Sequence, residues 1–137
     1  MSTLKTTEIL NALKTYLLTK NDTLKIYLGT PYRATGSNPE VYLYSITHSI
    51  LPVNVLNTYD TFSVVIAVEA TISSKEEEQN LWNFADVIAG YFKIDDFWIS
   101  LNDIMFHVRE IDVKYFKQEG DSVGLINIVL TLSNYEW

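Results

Sequence analysis

The stretch Thr61–Phe92, TFSVVIAVEATISSKEEEQNLWNFADVIAGYF, changes its hydrophobic period partway along. Over 61–72, Phe62, Val64, Ile66, Val68, Ala70 and Ile72 alternate with Thr61, Ser63, Val65, Ala67, Glu69 and Thr71. A period of two sets the first group on one face of a β-strand. The strand is longer than the usual ~5–6 residues. Its second face (Ser63, Val65, Ala67) is small and weakly polar, so that face is expected to be covered too. From Ser74 the period lengthens. Ser74-Lys75-Glu76-Glu77 has the capping-box pattern, in which the Ser74 hydroxyl accepts from the N3 amide and Glu77 reaches back. Glu76, Glu77 and Glu78 suit the positive end of a helix, which is predicted to run to about Phe92. At 100° per residue, Leu81, Trp82, Phe84, Ala85, Val87, Ile88, Ala89, Tyr91 and Phe92 span roughly 220°, where one core-facing stripe needs only ~100°. Polar cover falls mainly to Gln79, Asn83 and Asp86. The helix is therefore expected to bury a second side. Another subunit is the expected cover, with Trp82, Val87 and Tyr91 as interface candidates.

Downstream, residues 104–116 alternate Ile104, Phe106, Val108 and then Ile111, Val113, Tyr115. The phase slips by one at Arg109-Glu110, the mark of a β-bulge. Gly120-Asp121 supplies a turn, and 123–132 alternate again around Ile126, Ile128, Leu130 and Leu132. These two segments read as a long antiparallel hairpin. Upstream, residues 6–20 read as an amphipathic helix with Ile9, Leu10, Leu13, Leu17 and Leu18 inward. Thr6 or Thr7 is its expected cap and Asn21-Asp22 its end. Residues 24–28 form a half-buried strand. A breaker-rich loop follows over 29–39, too long for a tight hairpin. Residues 41–46 form a second strand. In Ile50-Leu51-Pro52-Val53-Asn54-Val55-Leu56 the proline interrupts any regular ladder. Two readings stand for 47–60: an irregular segment packed under the domain edge or an edge strand, against a hydrophobic loop offered to a partner through Ile50, Leu51 and Val53.

The order α-β-β-β-α-β-β, with no crossover helix between most strands, predicts an α+β fold: one antiparallel sheet with two helices on one face. The 137 residues suit a single domain, 1–137. No apolar run approaches the ~18 residues of a membrane span, and Met1-Ser2-Thr3-Leu4-Lys5 does not open a secretory signal.

Charge is uneven. Residues 1–70 carry five basic and five acidic residues, while 71–137 carry five and twelve, so the whole net charge of −7 lies in the second half. A protein that grips nucleic acid sets Lys and Arg against phosphates; two arginines and an acidic total argue against that mode. Like charge does suit a surface past which DNA slides without sticking. Solubility alone is the commoner use of such acidity.

No motif points to catalysis. The absence of cysteine excludes disulfides, cysteine-ligated metal and thiol chemistry. His48 and His107 have no zinc spacing and no context that marks a base, and both read as surface or interface histidines. Gly29 to Gly36 lacks the lysine and hydroxyl of a phosphate loop. Asp95, Asp96 and Asp103 lack the alternate oxygen ligands of a calcium loop. No cofactor, metal or catalytic residue is expected, and an enzyme ranks last. Tyr32, Tyr42, Tyr44, Tyr59 and Trp98 fall on predicted loops or on the less apolar strand face, where aromatics favour interfaces; for Tyr42 and Tyr44 ordinary sheet packing is the preferred reading. Tyr32-Arg33 alone pairs an aromatic with a base in a loop.

Through its element order, its length and the broad apolar helix 81–92, the chain from Thr6 to Leu132 resembles the tail-terminator and tail-completion proteins of long-tailed bacteriophages. The resemblance implies a virion structural protein, assembled in the host cytoplasm into a homo-oligomeric ring, commonly a hexamer, at the junction of head connector and tail tube. Its implied partners are copies of itself, neighbouring neck and tail proteins, and DNA passing through a lumen without specific binding; no membrane is involved. On that reading the loop around Tyr32 and Arg33 and the segment 47–60 reach neighbours, and Glu76, Glu77 and Glu78 are lumen candidates. The rival reading is a cellular oligomeric α+β module that holds a peptide or small ligand with 47–60.

Overall fold

In a computed structural model the described residues are 5–30, 38–52, 58–93, 98–101, 104–117 and 123–134. Two helices, α1 (Thr6–Lys20) and α2 (Lys75–Gly90), pack on a six-stranded sheet. The strands are β1 (Ile26–Leu28), β2 (Glu40–Pro52), β3 (Thr58–Thr71), β4 (Trp98–Leu101), β5 (Ile104–Lys117) and β6 (Val123–Ser133), in spatial order β1-β2-β3-β6-β5-β4. This is an α+β fold. All neighbours are antiparallel except β1 and β2, which run parallel. The expectation of a wholly antiparallel sheet is corrected there. A tight turn cannot join parallel neighbours, and residues 29–39 separate these two strands.

The alternation of β3 decides the layers. Phe62, Val64, Ile66, Val68 and Ala70 face the helices with Val41, Leu43, Phe106, Ile126, Ile128, Leu130 and Leu132. From α1 come Ile9, Leu10, Leu13 and Leu17; from α2 come Leu81, Ala85, Ile88 and Ala89, joined by Phe92 just beyond its end. Both helices thus share one face and one core, as expected. On the opposite face Val65 and Ala67 are also buried, under Tyr42 with Tyr44, Leu125 and Val129 around them. The small residues of β3 are covered there by larger side chains of its own sheet, in keeping with ordinary packing for Tyr42 and Tyr44.

The bulge falls where the phase slipped. The register of β5 on β6 shifts between Val108 and Glu110, with Arg109 the extra residue. Val108, Ile111 and Val113 consequently all reach the helix-side core. Ser74 caps α2 by accepting from the Glu77 amide at 3.2 Å. Glu77 completes only half of the expected box, since its carboxylate takes the Ser73 hydroxyl instead. At α1 the cap is Lys5, with no side-chain bond, rather than Thr6 or Thr7. At its far end the Asn21 amide donates to the Leu17 carbonyl, and Asn21 Oδ1 accepts from the amide and hydroxyl of Thr23.

Strand bounds differ from the sequence reading: β1 begins at Ile26 rather than 24, and β3 at Thr58 rather than 61. β2 does not stop at Ile46 but continues to Pro52, paired with β3 as far as Thr58. Pro52 ends the ladder, the position where a missing N–H costs least. The strand β4 lies in a segment read as loop, with Trp98 at its start; four residues between acidic neighbours are too few to show a period. Among the described residues no helix is long and apolar enough to cross a membrane.

Candidate assembly surfaces

The far half of β2 and the start of β3 form an arm. β1 pairs with β2 only as far as Leu43, and β6 pairs with β3 only from Thr61. Beyond those points the β2–β3 ladder continues without a neighbouring strand among the described residues. Its register shifts between Ser45 and Thr47, with Ile46 as the extra residue. A bulge of this kind bends its own strand and increases the local twist. Ile46, Ile50, Leu51 and Tyr59 are 41–62% exposed. Leu51 sits opposite Tyr59 and Ile50 opposite Asp60, so apolar side chains line both faces of the arm. Of the two readings for 47–60, residues 47–52 are therefore an edge strand with an exposed apolar surface. Val53 lies outside the described residues.

The base of the arm is polar and buried. Asp60, 3% exposed, places Oδ2 3.4 Å from His48 Nε2. Asp60 and Asn134 are tied twice: the Asp60 amide donates to Asn134 Oδ1 at 2.8 Å, and the Asn134 amide donates to the Asp60 carbonyl. Arg109, the bulged residue of β5, donates from Nε to the buried Ser133 hydroxyl at 2.7 Å. The His48 ring stacks on Phe62 at 4.0 Å, and Phe62 meets Phe106 edge-on at 5.7 Å. His48 is thus half-buried against the core rather than a plain surface histidine. Sequence periodicity hid this pairing, because the bulge at Ile46 changes which β2 residues share a face with Phe62.

A groove lies at the other end of β3, where the chain enters α2. Ile72, Ser74, Lys75, Glu78, Trp82 and Tyr115 are among the residues around a hollow of about 290 Å³. Gly124 forms part of its floor. A Cβ there would lie 2.0 Å from Ile72 Cδ1 and 2.7 Å from Leu81 Cδ2, so only glycine lets Ile72 close over the strand. Trp82 and Tyr115 meet edge-on at 6.2 Å, and the Tyr115 hydroxyl donates to Asp86 Oδ1 at 2.9 Å. That bond to a carboxylate, more than burial, raises the Tyr115 pKa. Although it follows Ile111 and Val113 in the alternation, Tyr115 is 52% exposed near the end of β5.

The expected apolar excess of α2 is partly absorbed by the fold. Leu81, Ala85, Ile88, Ala89 and Phe92 are buried, and Phe84 and Tyr91 pack half-buried against the same core. Tyr91 is held from α1, where the Tyr16 hydroxyl donates to its carbonyl at 2.5 Å. Only the two flanks of the arc, Trp82 at 41% and Val87 at 54%, stay open. Glu76 is exposed, Glu77 is engaged by Ser73, and Glu78 borders the groove. Tyr32, Arg33, Asp95, Asp96 and Asp103 lie outside the described residues.

No protein-family model matches the chain, and no curated protein matches it in sequence. Solved structures do. A chain from the virion of a native gene transfer agent particle superposes with a TM-score of 0.57 at 11% identity, over 96% of this chain and 98% of that one. A second solved chain superposes with a TM-score of 0.60 at 10% identity, over 96% of this chain and 93% of that one. What is shared is the fold, from end to end.

Proposed function

We propose that this protein is a structural component of a phage-like virion, forming a homo-oligomeric ring at the head–tail junction or tail end and docking the neck and tail proteins on either side. The observation that carries the reading is the end-to-end match of fold with a chain of a gene transfer agent virion. Two exposed apolar surfaces, the arm and the α2 flank, support it, because patches of this kind on a small chain mark association. The acidic second half supports a lumen: Glu76 and its neighbours at the start of α2 repel the phosphates of passing DNA rather than bind them. The work is assembly, not catalysis.

Light scattering after size exclusion, on the protein alone and mixed with purified tail tubes, tests this. A mass several times the 15.7 kDa of one chain, with annular particles in micrographs, is the expected result. A protein that stays monomeric in both samples overturns it.

A further inference from the structure

We propose that the hollow beside Trp82 and Tyr115 is a binding site for an arginine side chain of a neighbouring protein, its guanidinium held against the two rings and between the carboxylates of Glu78 and Asp86. The site stands on its own geometry and rests on the assembly reading only for its occupant being a protein.

Spacing builds the site. Glu78, Trp82 and Asp86 follow one another at intervals of four along α2. That interval stacks them on one stripe of the helix, with a carboxylate one turn to either side of the indole. Tyr115 closes the stripe from β5: its ring meets Trp82 edge-on at 6.2 Å, and its hydroxyl donates to Asp86 Oδ1. This bond holds the Asp86 carboxylate beside the rings, and a carboxylate has a second oxygen to offer a donor. Trp82 and Tyr115 are both exposed, and both line the hollow together with Glu78.

Chemistry selects the occupant. The face of an aromatic ring attracts a cation within about 6 Å of its centroid. The carboxylates on either side act with the same sign, and the net charge of −7 lies in this half of the chain. An anion at the start of α2 would instead meet Glu76, Glu77 and Glu78. A wholly apolar chain would strip water from the Glu78 carboxylate and return nothing for it. Among cations, guanidinium is planar and weakly hydrated, so it lies flat on a ring while its N–H edge donates to carboxylates. An ammonium is a compact, strongly hydrated point charge without that fork.

Size agrees. A hollow of about 290 Å³ suits one long side chain rather than a folded segment. Gly124 keeps it that size, since a Cβ there would push Ile72 and Leu81 into it. Lys75 lines the same hollow; it is the chain's own cation at the site, and thus a competitor of the incoming arginine rather than part of its grip.

The indole N–H signal of Trp82 reports binding in solution, assigned among the three tryptophans by its loss in Trp82→Phe. The probe is Nα-acetyl-arginine amide at pH 7 and low salt; its neutral isostere, Nα-acetyl-citrulline amide, is the control. The expected result is a saturating shift of the Trp82 signal with the arginine probe and none with the citrulline one. Affinity falls about 3-fold or more in each of Glu78→Gln, Asp86→Asn and Tyr115→Leu, with melting kept at that of the parent. Lys75→Gln binds as tightly as the parent or more so. Equal shifts from both probes, no shift from either, or lost binding in Lys75→Gln overturns the proposal. Arg33→Gln is titrated alongside, because Arg109 is bonded to Ser133 within its own fold and Arg33 is the other arginine that a second copy could bring. Light scattering is read on the same samples. Oligomers that fail to bind the probe in both the parent and Arg33→Gln overturn the site and leave the ring reading standing. Single chains, with and without tail tubes, that bind the probe keep the site and overturn the ring reading.

Discussion

Tyr42 shows how much one residue of the helix-free face carries. Its ring covers Val65 and Ala67, and its hydroxyl donates to Glu40 Oε2 at 2.7 Å. Glu40 stands directly across the ladder from the buried Glu69, a like-charged pairing that is unfavourable on its own. Burial first, then the bond to Glu40 and the two carboxylates, push the Tyr42 pKa up to about 12. An unfolded tyrosine titrates near 10. Because the folded value is the higher, the protonated hydroxyl stabilises the fold fully below about pH 10, and that stabilisation is lost as pH rises toward 12 and above. Tyr16 and Tyr44, raised by burial, act in the same direction. Urea midpoints measured from pH 8 to 12 are expected to fall steeply above pH 10. In Tyr42→Phe the fall is shallower, and the midpoint at pH 8 is lower by the equivalent of about 1 kcal/mol for the lost hydrogen bond. An unchanged slope in that variant would show that Tyr42 does not carry the alkaline loss. None of this was legible from alternation alone, which places Tyr42 on a face but does not reveal which carboxylates meet it.

At the scale of elements, the start of α2 was legible because a cap is local chemistry. Ser74 satisfies one of the amides that the first turn leaves without a partner. Ser74→Ala is expected to cost about 1 kcal/mol in urea unfolding, with Ser74→Asp recovering most of it; no change in Ser74→Ala would assign the cap to the Ser73–Glu77 bond instead. The bulge at Arg109 was legible for the same reason, since a period-two pattern that slips by one leaves no other way to keep Val108 and Ile111 on one face. The second bulge, at Ile46, was not. Ile46, Ile50 and Leu51 are apolar but largely exposed, so the pattern there carries no record of an inward face. The arm was accordingly legible as a greasy segment with an edge strand as one of its readings, and not as a bulged extension of β2. The α2 flank was half legible. The width of the arc identified Trp82 and Val87 as surplus, but it also named Tyr91, which α1 and the core largely cover.

For the molecule as a whole, α1 is the element that unites the parts, because it touches β1 and β2 at one edge of the sheet and β4 at the other. Leu13 and Leu17 on it are fully buried. Leu13→Ala is expected to cost about 2–5 kcal/mol, lost in a single transition that coincides by tryptophan fluorescence and circular dichroism. Two separated transitions would show that the edges unfold apart from the centre. The amino-acid order by itself determined the α+β class, the central strand, both helices, the closing hairpin and the shared face on which the helices pack. Each of these follows from a repeat of period two or 3.6 that burial enforces along a contiguous segment. Only the tertiary structure decided the parallel pairing of β1, the added edge strand β4, the bulge at Ile46 and the stacking of His48 on Phe62. These depend on which distant segment lies alongside, and neighbours chosen across the sheet leave no period in the chain.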